Sequence, residues 1–380
     1  MKKMFIALLF GTIMFVLVAC GQMKKTEQEK TLALGEVLVN SVEDPQETKQ
    51  LQSLYRKAID EIKADGGELT VWAGGDEPNQ QKALEDAFKK RFPEVPINIK
   101  VDLSKYHDLK INEQLKEDNL EPDVTMLQTS QDFDDWKNRG ELLSYKPIGF
   151  NQQKEGYADA EGNYITAFIL SFLPETAKGT KKITSYVDFL KPEFKDKLVL
   201  TYPHDDDAVL YVYDKIIQKH GEGFLQQLAD QNPTFLRGTA APAALVGKEN
   251  FLGNLTGYMQ EEDSQAVATI PESDPFITWT QRAATFKKSK HQAAAKLFLS
   301  YISSKEYQSA TQIWPTRKDL KAVAPYKELA DYPNTSFSDF NKWMQDRAHI
   351  QELSNKMVDI FGPVKGESPL TDEDLLKRIE

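Results

Sequence analysis

The spacing of apolar and polar residues predicts alternating helices and strands in the first third of the chain. Apolar residues three and four positions apart between 47 and 62 indicate an amphipathic helix, which Gly66 and Gly67 end. Short apolar runs predict three strands, at 68–73, 97–101 and 122–127. Helical spacing recurs between these runs, at 78–92 and 108–118. Strands that alternate with helices of this length are typical of an α/β fold with a parallel sheet.

The same alternation continues in the second half. Three further runs predict strands, at 197–201, 267–270 and 277–279. Helices are predicted from Val209 to the stop at Gly221, at 243–246 and from Lys290 onward. Ligands collect where parallel strands end, so the loops at 72–76 and 128–132 are predicted to form neighbouring parts of one site.

The N-terminus carries an export signal. Lys2 and Lys3 precede an apolar stretch that ends in Leu17-Val18-Ala19-Cys20-Gly21, and this end resembles a bacterial lipobox. The resemblance implies a signal peptide at 1–19, a lipid on the Cys20 sulfur and a polar tether at 20–46. The alternatives are an ordinary secretory signal and a retained anchor, although the stretch is shorter than the roughly 20 residues that span a bilayer.

Composition limits the classes of function. The 380 residues are 40% hydrophobic and 28% charged, which suits a soluble protein with two lobes. The net charge of −11 disfavours nucleic acid as a partner. Cys20 is the single cysteine, and the five histidines form no H-E-x-x-H motif. We therefore expect no cofactor and no metal site.

Several segments resemble the extracellular solute-binding proteins of ABC importers with a type 2 periplasmic-binding fold, in the group that includes ferric-ion and sugar-phosphate binders. These segments are 68–76, 186–192, 286–298 and 304–308. The resemblance implies two α/β lobes, each a mostly parallel sheet flanked by helices, with the ligand in the cleft between them. Lobe I would hold 47–168 and 272–380, and lobe II would hold 169–271. Iron binders of this group use adjacent tyrosines, whereas here Tyr211 and Tyr213 are two apart.

The expected role is that of a non-enzymatic receptor. Held at the outer face of the cell membrane by its lipid, it would close on a small polar solute and dock on an ABC permease. The residues expected to contact the solute lie at strand ends and helix starts: Trp72, Gly74, Gly75, Asp76, Thr129, Ser130, His204, Asp205, Asp206, Asp207, Arg237, Gly238, Thr239, Trp279 and Arg282.

Two of these runs have a definite chemistry. The carboxylates of Asp205–Asp207 can bind hydroxyls, amines or a hard cation, although one of them is expected to cap a helix. Arg237, Gly238 and Thr239 precede a helix start, and such a start with an arginine suits an anion. The solute therefore remains open among a sugar phosphate, a phosphonate, a polyol, an amine and a cation.

Two other functions compete with the receptor. An extracellular hydrolase would use His204 with Asp205–Asp207 for acid–base chemistry, but no G-x-S-x-G, zinc-helix or P-loop motif is present. A surface sensor would bind a partner protein through the helix at 47–62. The apolar stripe of that helix is more typical of packing on the body of the protein.

Overall fold

The computed structural model describes residues 33–259 and 264–379. The lipobox with Cys20, the signal peptide at 1–19 and the first part of the tether lie outside the described residues. Within them, no helix is both long and apolar enough to cross a membrane.

Twelve α-helices form in the described residues. They are α1 (Pro45–Asp65), α2 (Lys82–Arg91), α3 (Ser104–Glu117), α4 (Ser130–Asn138), α5 (Asp207–His220), α6 (Gly223–Asp230), α7 (Ala240–Leu245), α8 (Gln292–Ser303), α9 (Lys305–Thr311), α10 (Phe337–Trp343), α11 (Arg347–Phe361) and α12 (Glu373–Ile379). The predicted helix at 78–92 begins only at Lys82, because a turn occupies 78–81.

The strands are β1 (Leu69–Gly74), β2 (Ile97–Asp102), β3 (Val124–Leu127), β4 (Ile165–Ala177), β5 (Val199–Thr201), β6 (Thr234–Leu236), β7 (Gly253–Gly257), β8 (Ala266–Ala268) and β9 (Ile277–Thr285). One sheet has the order β2-β1-β3-β9-β4-β7, with β8 also paired to β4, and β5 pairs with β6 separately. The pairs β1–β2, β1–β3 and β5–β6 are parallel, as predicted. Strands β4 and β9 run antiparallel to their neighbours, so the large sheet is mixed rather than mostly parallel.

One body of the protein, which we call lobe I, surrounds β2-β1-β3-β9. Helices α1, α2 and α8 bury one face of this sheet in a shared hydrophobic cluster. Helices α3 and α4 cover the other face with a second cluster that includes Trp72 and Trp136. Helix α1 buries the stripe that the sequence predicted, since Leu51, Tyr55 and Ala58 are at most 1% exposed. The feature that motivated a partner-binding helix is therefore part of the core.

The other body, lobe II, surrounds β5, α5, α6 and the far halves of β4 and β9. Phe340, Met344, Ile350 and Leu353 of α10 and α11 belong to the same hydrophobic cluster. Residues 337–361, which the sequence analysis placed in lobe I, thus pack on lobe II because their apolar side chains complete its core. The boundaries of the lobes along the chain otherwise stay a prediction.

Two long strands join the lobes. Strand β4 pairs with β9 from Ile165 opposite Ala283 in lobe I to Phe172 opposite Ile277 in lobe II. Each strand therefore crosses from one core to the other, and the cleft opens beside this crossing.

The later part of the predicted tether lies on lobe I. Leu34 and Leu38 pack against its core. The backbone carbonyl of Gly35 accepts a 2.6 Å hydrogen bond from Arg91 Nη1. The backbone N–H of Val42 donates to Ser309 Oγ at 2.7 Å. These contacts hold the chain against the protein ahead of α1.

Candidate ligand-binding cleft

A cavity of about 320 Å³ lies between the lobes, where β1, β3 and β5 end. Lobe I contributes the loops after β1 and β3 and the start of α3, and lobe II contributes the loop after β5, the start of α7 and one side of α11. The predicted residues that line it are Gly75, Asp76, Thr129, His204, Asp205, Asp206, Asp207, Thr239 and Trp279.

Asp76 joins the two lobes. Its Oδ2 accepts hydrogen bonds from Thr239 Oγ1 at 2.8 Å, from the backbone N–H of Ala240 at 3.2 Å and from the backbone N–H of Thr239. Gln80 Oε1, in the turn before α2, accepts the backbone N–H of Asp76 at 2.8 Å and fixes the loop. The start of α7, which the sequence predicted as an anion site, thus already holds a carboxylate of the protein.

Asp205 is held by cations from both lobes. Lys105 Nζ of lobe I lies 2.7 Å from Asp205 Oδ1, and Arg237 of lobe II donates to both carboxylate oxygens, at 2.8 and 3.2 Å. Burial alone would raise the pKa of Asp205, but these two cations outweigh it and lower the pKa. Arg237 Nη2 also donates to Tyr106 OH across the cleft at 3.2 Å.

Asp206 caps α5 and faces the cavity. Its Oδ1 accepts the backbone N–H groups of Ala208 and Val209 at 2.8 and 3.0 Å, and its Oδ2 accepts from Gln128 Nε2 of lobe I at 3.1 Å. The predicted capping role therefore falls to Asp206. Burial is the main cause that raises its pKa to about 6, and no cation bonds to Asp206 directly as Lys105 and Arg237 bond to Asp205.

Helix α11 forms a wall of the cavity that the sequence analysis missed. Arg347, Ile350, Gln351 and Ser354 recur at helical spacing on this side of the helix. Arg347 Nη1 lies 3.5 Å from Asp207 Oδ2. No strand-end or glycine signal precedes this helix, so the local sequence gave no reason to expect it at the cleft.

Aromatic side chains of lobe II form the apolar side of the cavity. Trp279 packs on Phe172 with ring centroids 4.5 Å apart, and Phe172 packs on Tyr258 at 5.6 Å. Beside them, Gln281 Nε2 donates to the carbonyl of Gly74 at 3.3 Å. Among the described residues, neither Gln281 Oε1 nor Trp279 Nε1 has a hydrogen-bond partner.

The remaining predicted residues do not line the cavity. Trp72 points into the second cluster of lobe I, under α3 and α4, where its ring stacks on His107 with centroids 4.8 Å apart. Gly74 allows a close approach of α3, since a Cβ there would lie 2.1 Å from Ser104 Oγ. Arg282 binds the carbonyl of Ser130 at 2.6 Å within lobe I.

Ser130 is fully buried in lobe I. Arg237 and Gly238 lie outside the cavity and hold groups that line it. Arg237 holds Asp205, as described above. Gly238 has a φ of +74°, and its carbonyl accepts from Thr201 Oγ1 at 2.8 Å. A glycine fits this left-handed conformation, which places Thr239 and Ala240 against Asp76.

Two further carboxylates, those of Asp108 and Asp132, lie close to each other in lobe I. Burial and the neighbouring carboxylate of Asp132 raise the pKa of Asp108, while burial is the main cause that raises the pKa of Asp132. The charges of Asp207 and Arg347, which line the cavity, also act on this pair, so carboxylates of lobe I lie close behind the cleft.

The donor set does not suit a metal ion. In residues 33–259 and 264–379, no group of three or more His, Cys, Asp and Glu side chains is arranged to hold one. Tyr211 and Tyr213 are both buried in the core of lobe II, away from the cavity. The two tyrosines thus cannot act as the adjacent pair of an iron site.

Comparison with known proteins identifies the family. Residues 69–313 match the model of the bacterial extracellular solute-binding protein family, and the chain belongs to this family. No curated protein sequence matches it.

Solved structures share the fold. AfuA from Actinobacillus pleuropneumoniae, with exogenous fructose-6-phosphate bound, is 17% identical with a TM-score of 0.60, over 78% of this chain and 99% of that chain. Iron-bound HitA from Pseudomonas aeruginosa is 16% identical with a TM-score of 0.59, over 76% and 99%. A substrate-binding protein of an ABC transporter from Agrobacterium tumefaciens is 11% identical with a TM-score of 0.65, over 79% and 96%. The predicted type 2 periplasmic-binding fold is thereby confirmed.

Family membership makes the chain a solute-binding protein and not an enzyme. The arrangement of the cleft agrees with this class. Asp205, the carboxylate next to His204, is engaged by Lys105 and Arg237 and is not free to act as a base with the imidazole.

Proposed function

We propose that the protein is a lipid-anchored receptor that closes its two lobes on a small polar solute and delivers it to an ABC importer. The observation that carries the proposal is the cavity between the lobes, across which lobe I side chains meet lobe II at several points. The family supplies the class, and the cavity supplies the place where the solute would bind.

The contacts across the cavity suit a reversible closure. They are Asp76 with Thr239, Lys105 with Asp205, Tyr106 with Arg237, and Gln128 with Asp206. Each is polar, and such contacts contribute about 0.5–1.5 kcal/mol apiece because water competes for the same groups. A solute that touches both lobes can then shift the balance between open and closed forms by its own binding energy.

Equilibrium dialysis of purified full-length protein in mild detergent against a yeast extract tests the receptor. One compound should be retained at a stoichiometry of one per chain and recovered chemically unchanged. Retention of no compound, or recovery of a converted product, would contradict the proposal.

The anchor follows from the lipobox at Cys20 and has its own test. We expect Cys20→Ser to move the protein from the membrane fraction to the medium, with Met23→Ser as a matched variant outside the motif that stays in the membrane. Retention of both variants in the membrane would favour an uncleaved anchor. Release of the wild type would favour an ordinary secretory signal.

A further inference from the structure

We propose that the cleft binds a small organic cation, with its charged group against Asp206 and its apolar part on the wall of Trp279, Phe172 and Tyr258. This inference rests on the proposed function, in which the cavity is the binding site. It selects one ligand class from those that the sequence left open.

The groups suited to an anion are already occupied by carboxylates of the protein. Asp76 fills the start of α7 and accepts from Thr239 and Ala240. Asp205 takes both the guanidinium of Arg237 and the ammonium of Lys105. A phosphate or carboxylate in the cavity would have to displace these contacts and would meet negative charge behind them.

The uncompensated charge of the cleft is negative. Among the described residues of the cleft, Lys105 and Arg237 form ion pairs with Asp205. Arg347 forms a longer one with Asp207, at 3.5 Å. Asp206 and Asp76 accept only from N–H and O–H donors. A carboxylate without a counter-ion in a place partly shielded from water is stabilised by a cationic partner.

Two side-chain atoms without hydrogen-bond partners, on residues that line the cavity, indicate which groups the ligand carries. Gln281 is 3% exposed. Its amide orientation is fixed because the carbonyl of Gly74 can only accept, so Nε2 must be the atom that donates to it. This leaves Oε1 as an acceptor without a donor. An ammonium N–H supplies such a donor. Trp279 is 2% exposed and its Nε1 lacks an acceptor, so the ligand is expected to carry an acceptor as well as its cationic group.

The cation is organic rather than a bare metal ion. In the part of the chain that the structure describes, no group of three or more His, Cys, Asp and Glu side chains is arranged to hold a metal ion. The cavity of about 320 Å³ has an aromatic wall and lies at the lower end of the range for sites of small organic ligands, about 300–1,000 Å³. An ammonium ligand with an apolar skeleton uses both the acidic and the aromatic side.

The test separates a yeast extract by ion exchange into cationic, neutral and anionic fractions. Purified full-length protein in mild detergent is mixed with each fraction, and its melting temperature is measured. We expect the cationic fraction alone to raise it. A compound isolated from that fraction should bind Asp206→Asn at least about tenfold more weakly, because a hydrogen bond to a charged group is lost.

Asp44→Asn is the matched control for this variant. Asp44 caps α1 as Asp206 caps α5, with bonds of 2.8 and 3.1 Å, but it does not line the cavity. Asparagine is an equally good cap, so both variants should fold, and Asp44→Asn should bind like the wild type. A rise with the anionic or neutral fraction would overturn the cation class and leave the receptor intact. A rise with none of the fractions would overturn the receptor as well.

Discussion

Two aspartates of this protein, the buried Asp123 in lobe I and the partly buried Asp206 in the cleft, have almost the same set of neutral donors and differ in one partner. Asp123 is 1% exposed and accepts from Ser289 Oγ and from the backbone N–H groups of Thr70 and His291. It also binds His291 Nδ1 at 2.9 Å. Asp206 accepts from two backbone N–H groups and an amide, without a cation.

The difference separates a structural carboxylate from a binding one. Asp123 ties β1 and β3 to the start of α8, and His291 Nε2 extends the network to Asp65 of α1 at 3.0 Å. All its interactions are satisfied inside lobe I. Asp206 keeps an unbalanced charge at the cavity, which is the condition expected of a group that a ligand completes.

The largest effect on stability is expected when Asp123, whose carboxylate has all its partners inside lobe I, loses its charge. Asp123→Asn removes the charge that faces His291 and places an amide N–H against donors, so the free energy of unfolding should fall by about 3–5 kcal/mol. Urea denaturation measures this. Asp118→Asn is the matched surface control, since Asp118 is 79% exposed beside Lys288, and it should change nothing measurable. Equal losses in both variants would contradict the comparison.

Loss of the charge of Asp206 should change stability in the opposite direction. Burial, and secondarily the charge of Asp207, raise the pKa of Asp206 to about 6 against the charge of Lys105, so the folded state holds this proton more tightly than the unfolded chain. Stability is therefore lost as the pH rises from about 4 to about 6. Asp206→Asn, which still caps α5, should gain about 1–3 kcal/mol over the wild type at about pH 8 and nothing at about pH 4.

Thermal unfolding at the two pH values measures this gain. Asp44→Asn is again the matched cap, and it should show no such pH-dependent gain. A gain of the same size in both variants would mean that the effect belongs to helix capping and not to the cleft.

Asp76→Ala should loosen the cleft without unfolding either lobe. It removes the acceptor for three donors of lobe II, which favours the open form by about 1–3 kcal/mol. Small-angle scattering should then give a larger radius of gyration. Asp86→Ala on the exposed side of α2 is the control and should leave the radius unchanged. An unchanged radius for Asp76→Ala would show that this contact does not hold the lobes together.

The smallest effect concerns the pH dependence of lobe I. Burial alone would lower the pKa of His291, but the hydrogen bond and charge of Asp123 and the charge of Asp65 outweigh it and raise the pKa. The stabilisation by the charged His291 is complete below the pKa of histidine in the unfolded chain, about 6.5. It is lost as the pH rises through the higher pKa of His291 in the folded protein. His291→Gln should thus lower the free energy of unfolding more at about pH 5 than at about pH 9, as measured by urea denaturation. A constant difference would contradict the charged pair.

Much of the fold could be predicted because its signals are local. The stripe of α1, the strands β1–β3 and the stop at Gly221 all follow from periodicity and glycine. Strand β4 escaped prediction because it crosses between cores and buries polar residues, including Thr166, Ser171 and Glu175, so that its pattern does not alternate. The position of α11 likewise depends on the core of lobe II and not on its own sequence.

The cleft could be predicted in part for the same reason. Loops that leave strand ends were expected at the site, and Asp76, Thr129 and Asp205–Asp207 do line the cavity. Pairing across the lobes could not be foreseen, because Lys105 and Gln128 meet their partners only through the closure of distant segments. The direction of Trp72 depended on strand register, which one apolar run does not determine.

The most direct test is the proton balance of ligand binding. Titration calorimetry near pH 6, with the compound isolated from the cationic fraction and in buffers of different ionisation enthalpy, counts the protons exchanged on binding. A cation next to Asp206 lowers the pKa of its carboxyl group, which is about half protonated near pH 6, so the wild type should release up to about half a proton and Asp206→Asn should release none. Proton uptake, or the same exchange in both proteins, would contradict the account that the solute completes this carboxylate.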